Sequence, residues 1–156
     1  MSRDLLLMRH ADALPEGVGG DHERPLSEWG RVDARRMAEV LRQEGLEPGR
    51  IVVSTARRTC ETVERVLHHI GSRPVVEEPK LYLASVSTVM QIIDVHSKEP
   101  GTLLIVAHNP ALETIVSTMA GVRIPFPTAT LAHVVLESGQ LPEVRGIWRT
   151  EDLTVS

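Results

Sequence analysis

The chain has 156 residues, 42% of them hydrophobic and 24% charged, with a formal net charge of −4 and one cysteine, Cys60. That length and balance predict a single globular domain, residues 1–156, able to bury a core. The negative charge and the 3% aromatic content argue against nucleic-acid binding. No apolar run nears the roughly 20 residues of a membrane span. The opening MSRDLLLMRH lacks the length and cleavage site of a secretory leader, and a lone cysteine closes no internal disulfide. A reducing cytoplasm is the expected compartment.

Residues 4–8 form the first apolar run, and 51–54 (IVVS) and 102–107 (TLLIVA) repeat its character. Runs without alternation predict strands covered on both faces, as in a parallel sheet. Between the first two lies an irregular loop, 11–26, long enough to be functional. A helix follows it, with Ser27 as N-cap and Ala34, Met37, Ala38 and Leu41 on one face. Val63, Val66, Leu67 and Ile70 mark a second helix, stopped by Gly71; residues 74–77 then predict a short strand. Val86, Val89, Met90 and Ile93 mark a third helix. Leu112, Ile115, Val116 and Met119 mark a fourth, with Asn109 as N-cap, Pro110 in the first helical position and Gly121 at the end. Late strands at 130–137 and 143–149 pair as a hairpin through SGQLP. This alternation predicts a three-layer α/β sandwich with a mostly parallel central sheet.

In open α/β sheets, ligands bind beyond the carboxyl ends of the strands. Arg9 and His10 follow the first strand, Arg57 and Arg58 the second, and His108 the 102–107 strand. Clustered cations repel one another, so their convergence makes sense around a dianion, which arginine forks grip in bidentate fashion. Helices starting near Thr59 and Pro110 would aim their positive ends at the same point. The candidate phosphate-binding residues are Arg9, Arg58, Arg57, Asn109 and Arg24. Two histidines exceed what binding requires. A neutral imidazole can take up a phosphoryl group, so His10 is the expected nucleophile, with Arg9, Arg58 and His108 stabilising the transferring group. Water would then release phosphate from phospho-His10.

These residues sit in four motifs. Arg9-His10-Ala11 resembles the Arg-His-Gly hallmark of the histidine phosphatase superfamily, the phosphoglycerate-mutase-like fold. RPLSEWGRVDA, residues 24–34, is similar to that family's segment leading into its first helix. STARRTCET, residues 54–62, resembles its Ser-Pro-x-x-Arg-Ala-x-Gln-Thr signature, with the family arginine falling on Arg58. Ala107-His108-Asn109-Pro110 resembles its second-histidine motif. The resemblance implies a phosphohistidine intermediate on His10, with Arg9, Arg58 and His108 around it. The short chain resembles the SixA-type phosphohistidine phosphatases, whose open pocket suits a phosphorylated side chain on a protein. A phosphate ester of a small metabolite is the alternative substrate, and a phosphoprotein-binding module without turnover is a third reading.

Mutase-type relatives supply a glutamate as general acid, and KLYLAS offers none in register; Glu77 and Glu78 are the nearby candidates. A phosphoramidate needs that acid less, because its leaving nitrogen can be protonated from solvent. Asp21 and His22 either line the pocket or solvate the loop. No metal or other cofactor is expected, since no His-x3-His or His-Glu-x-x-His pattern occurs. Cys60 lacks the Cys-x5-Arg of a cysteine phosphatase, residue 66 being valine, and is expected as a small buried side chain. GVGG at 17–20 follows no strand and is not a dinucleotide loop. With no strongly apolar exposed stripe evident, a monomer is expected.

Overall fold

A computed structural model describes residues 2–15 and 19–153; Gly17 and Val18 of GVGG lie outside the described residues. Six strands form one sheet: β1 (Ser2–Arg9), β2 (Arg50–Ser54), β3 (Val75–Glu78), β4 (Leu103–Ala107), β5 (Leu131–Glu137) and β6 (Glu143–Trp148). Their order is β3-β2-β4-β1-β5-β6. The β3–β2, β2–β4 and β4–β1 pairs are parallel; β5 runs antiparallel to β1 and to β6. The four helices are α1 (Glu28–Gln43), α2 (Arg57–Ile70), α3 (Val86–His96) and α4 (Ala111–Ala120).

The unbroken apolar runs occupy the middle of the sheet. Leu5 to Met8, Ile51 to Val53 and Leu103 to Ala107 are all buried, with α1 and α2 packed on one face and α3 and α4 on the other. Each buried leucine or valine there contributes about 1.5–3 kcal/mol relative to exposure. The weaker run at 75–78 falls on an edge strand and stays mostly exposed.

The helix starts show how the chain reaches the strand ends. Ser27 caps α1, its Oγ accepting from Gly30 N at 3.0 Å. Its hydroxyl also donates to Asp12 Oδ2 at 2.6 Å. Gly30 permits this close approach: a Cβ there would lie 2.0 Å from the Asp12 carbonyl oxygen. The loop after β1 is thereby pressed onto the first turn of α1.

Two helix starts differ from expectation. Helix α2 begins at Arg57, after Ala56, so both arginines lie in its first turn. Helix α4 begins at Ala111 with Pro110 as N-cap, one position later than the sequence suggests. Asn109 still serves that turn, its Oδ1 accepting from Glu113 N at 3.2 Å, while its Nδ2 donates to the Phe126 carbonyl at 2.8 Å. The second bond pulls the asparagine toward the loop before β5 and leaves the cap position to proline.

Candidate active site

Strands β1, β4 and β2 are parallel neighbours, so their carboxyl ends deliver Arg9–His10, His108 and Ser54 to one edge of the sheet. His10 N donates to the Ala107 carbonyl at 3.1 Å, which locks the two histidine-bearing ends together. The cleft above them has a volume of about 630 Å³; Arg9, His10, Arg24, Arg58, His108 and Asn109 are among its lining residues.

Hydrogen bonding sets the tautomer of each ring. His10 Nδ1 lies 2.8 Å from the Ala11 carbonyl, which can only accept, so Nδ1 carries the proton. The lone pair is then on Nε2, where Arg58 Nε donates from 3.4 Å. His108 Nδ1 lies 3.5 Å from Arg58 Nη2, a pure donor. Its Nε2–H therefore goes to Ser54 Oγ at 2.8 Å. The two rings stand 5.3 Å apart, centroid to centroid.

Arg58 uses both edges of its fork. The Nη1 and Nη2 end bonds the Asp21 carbonyl at 2.8 Å and Asp21 Oδ2 at 3.2 Å. The Nε and Nη2 edge faces the two imidazoles. The residue is only 6% exposed, so its charge is held inside the protein with Asp21 beside it. Arg24 Nη1 and the Tyr82 hydroxyl also donate to Asp21, at 3.1 and 2.6 Å. The Tyr82 bond, and then those from Arg24 and Arg58, hold the Asp21 carboxyl down to about 2.

Burial keeps both histidines uncharged. It pushes the His10 imidazole down to about 4, with the charges of Arg58, Arg9 and Arg24 adding to it. His108 falls to about 3, through burial first and then His10 and Arg58. Burial also lowers Arg9, against the pull of Glu113. Arg9 Nη1 donates to the Phe126 carbonyl at 3.3 Å, and its buried Nε finds no acceptor among the described residues. Two neutral imidazoles and three guanidiniums can thus surround a dianion, with the lone pair of His10 Nε2 inside the cleft.

Of the expected residues, Arg9, His10, Arg24, Arg58, His108 and Asn109 meet in the cleft. Arg57 does not: its side chain points outward and pairs with Glu61 at 2.9 Å, one turn along α2. Arg24 spends Nε on the Leu14 carbonyl at 2.7 Å. Glu77 and Glu78 do not line the cleft, because β3 is an edge strand. Glu77 faces Cys60, and Glu78 accepts from Lys80 N at 3.0 Å. Cys60 is half-buried rather than buried, and burial with Glu77 beside it drives the thiol up to about 11. Asp21 and His22 belong with the site: His22 Nε2 lies 3.0 Å from Thr55 Oγ1, its ring edge-on to Tyr82.

Sequence reasoning missed Asp12, Ser54 and Tyr82. Ser54 stands inside the STARRTCET signature, a signal that was available; Asp12 and Tyr82 carried none. No helix among the described residues is long and apolar enough to cross a membrane.

The model of the histidine phosphatase superfamily (branch 1) matches residues 5–82. The chain is 30% identical to the phosphohistidine phosphatase SixA of Escherichia coli over 143 residues, covering 86% of this chain and 87% of that one. A chloroplastic protein of Arabidopsis thaliana is 29% identical over 85% of this chain, which spans 66% of that relative's length. Among solved structures, a protein of Agrobacterium tumefaciens assigned as the phosphohistidine phosphatase SixA superposes with a TM-score of 0.83 at 25% identity. That match covers 94% of this chain and 97% of the other. The chain belongs to the histidine phosphatase superfamily, in its SixA-type branch, and is a phosphatase.

Proposed function

We propose that this phosphatase removes the phosphoryl group from phosphohistidine on a protein, through a phospho-His10 intermediate. The observation that carries the reading is the pairing of a ready nucleophile with the absence of a free carboxylic acid among the described cleft residues. Asp12 is the carboxylate in the lining, and it accepts the Ser27 hydroxyl. Asp21, at its edge, is held ionised by its donors. An alkyl phosphate needs a proton on its leaving oxygen, which neither group is placed to give. A phosphoramidate nitrogen takes its proton from water.

In the first step His10 Nε2 attacks phosphorus, and the substrate's P–N bond breaks as its imidazole leaves with a solvent proton. Arg58, through its Nε and Nη2 edge, and Arg9 hold the equatorial oxygens; His108, whose Nε2–H goes to Ser54, packs beside them, and Asn109 and Arg24 complete the wall. Water then attacks the phosphorus of phospho-His10, phosphate departs, and the neutral ring returns. Similarity to the Escherichia coli SixA protein supports the substrate class.

Phosphate release, measured from a phosphohistidine-bearing domain and from a panel of sugar phosphates, tests the reading. Release from the domain, with little from the sugars, is expected. Release from the sugar phosphates alone replaces it with a metabolite phosphatase. Binding without release from either replaces it with a non-catalytic module.

A further inference from the structure

Leu83 carries two costs at once on the rim of the cleft. Its side chain is 80% exposed, and its backbone φ is 55°, in the left-handed region. Non-glycine residues are disfavoured there, and an exposed leucine gains nothing from burial in its own chain. The turn is held firmly on both sides. Leu81 is buried in the core, Tyr82 donates to Asp21 at 2.6 Å, and Ser85 caps α3 through Thr88 N at 3.2 Å. Local strain kept by well-anchored neighbours concentrates where function needs it. Ala84, Val89 and Pro110 line the same cleft as Leu83 and give it an apolar wall, while the guanidiniums and imidazoles supply its charge.

Building on the phosphohistidine-protein reading, we propose that Leu83 is a specificity residue, packing against an aliphatic side chain next to the phosphorylated histidine of the partner polypeptide. A polypeptide carries aliphatic groups beside its modified residue, and burying one against an exposed leucine raises kcat/KM for that substrate by roughly tenfold or more.

The test compares Leu83→Gly and Leu83→Asn, a neutral polar residue that tolerates the left-handed backbone, with wild type on two substrates: a phosphotransfer domain phosphorylated on its histidine, and free phosphohistidine. Glycine suits the φ of 55°, so its variant is expected to fold with an unchanged or higher Tm. The expected result is a loss of roughly tenfold or more in kcat/KM on the domain, mostly in KM, and less than about twofold on free phosphohistidine. Val95→Asp, an exposed change at the far end of α3, is expected to match wild type on both. Unchanged kinetics on the domain, or an equal loss on both substrates, overturns the role of Leu83 and leaves the substrate class standing. Wild-type enzyme that fails to act on the domain at all overturns the parent reading and this one with it.

Discussion

Arg58 lies between His10 and Asp21, with Nε 3.4 Å from His10 Nε2 and Nη2 3.2 Å from Asp21 Oδ2. The carboxylate occupies one edge of the guanidinium, which turns the other edge toward His10. A planar fork is needed for that division of labour, and a lysine cannot reproduce it. We expect Arg58→Ala to lower kcat/KM by roughly 10²–10³, as loss of a charge-stabilising donor does elsewhere. Arg58→Lys should recover only a small part. Arg57→Ala, which removes a solvent-facing pair with Glu61, should stay within about twofold of wild type. Steady-state kinetics on one phosphohistidine substrate separates the two arginines.

Asp21 acts through Arg58, so its removal should show in the binding of anions. Asp21→Asn keeps the shape but gives up the charge that Tyr82, Arg24 and Arg58 all address. Orthovanadate or inorganic phosphate, titrated by calorimetry, should bind about tenfold more weakly, and Tm should fall as well because the buried Arg58 loses its counter-charge. A fall in Tm with unaltered anion affinity would assign Asp21 to the loop's stability instead.

The two histidines also tie stability to pH. His10 and His108 sit near 4 and 3 in the fold, against an ordinary value of 6.5. Between those limits the unfolded chain binds protons that the folded chain does not, so stability falls as pH drops below about 6.5 and continues to fall toward 4. Denaturant titrations at pH 7.5, 6 and 5 should show that decline, reduced in a His108→Gln variant. Nitrogen NMR shifts of His10 should stay those of a neutral ring at pH 5.5. A His10 midpoint near 6.5 would contradict the desolvated site.

Gly30 tests how the loop after β1 is seated. A Cβ at that position meets the Asp12 carbonyl oxygen at 2.0 Å, inside any van der Waals contact. Gly30→Ala should destabilise the protein by about 1–3 kcal/mol as an overpacking change, despite alanine's better helix propensity. Chemical denaturation measures it, and kcat/KM should fall as well because Asp12 is two residues from His10.

Much of this arrangement was readable from the chain. Leu5 to Met8 and Leu103 to Ala107 are apolar without alternation because both faces of those strands are covered, and the first charged residues after them emerge where the sheet ends. The Ser27 cap and the Gly71 stop followed from local chemistry. The brace on Arg58 did not. Asp21 and Tyr82 are 61 positions apart, and the bond between them arises only when the 11–26 loop and the turn before α3 are folded onto the same cleft. No periodicity encodes such a contact. The same limit explains Glu77 and Glu78, which are near the right place in sequence but stand on an edge strand away from the cleft. It also explains Leu83, whose positive φ and exposure no local pattern announces.

We expect His10 Nε2 to become covalently phosphorylated during turnover. Rapid acid-free quenching of the enzyme with a radiolabelled phosphohistidine donor, followed by peptide mapping, tests it directly. The expected result is one label per chain on His10, labile in acid and stable in base, and none in His10→Ala. A label that survives acid, or a His10→Ala variant with full turnover, would contradict it.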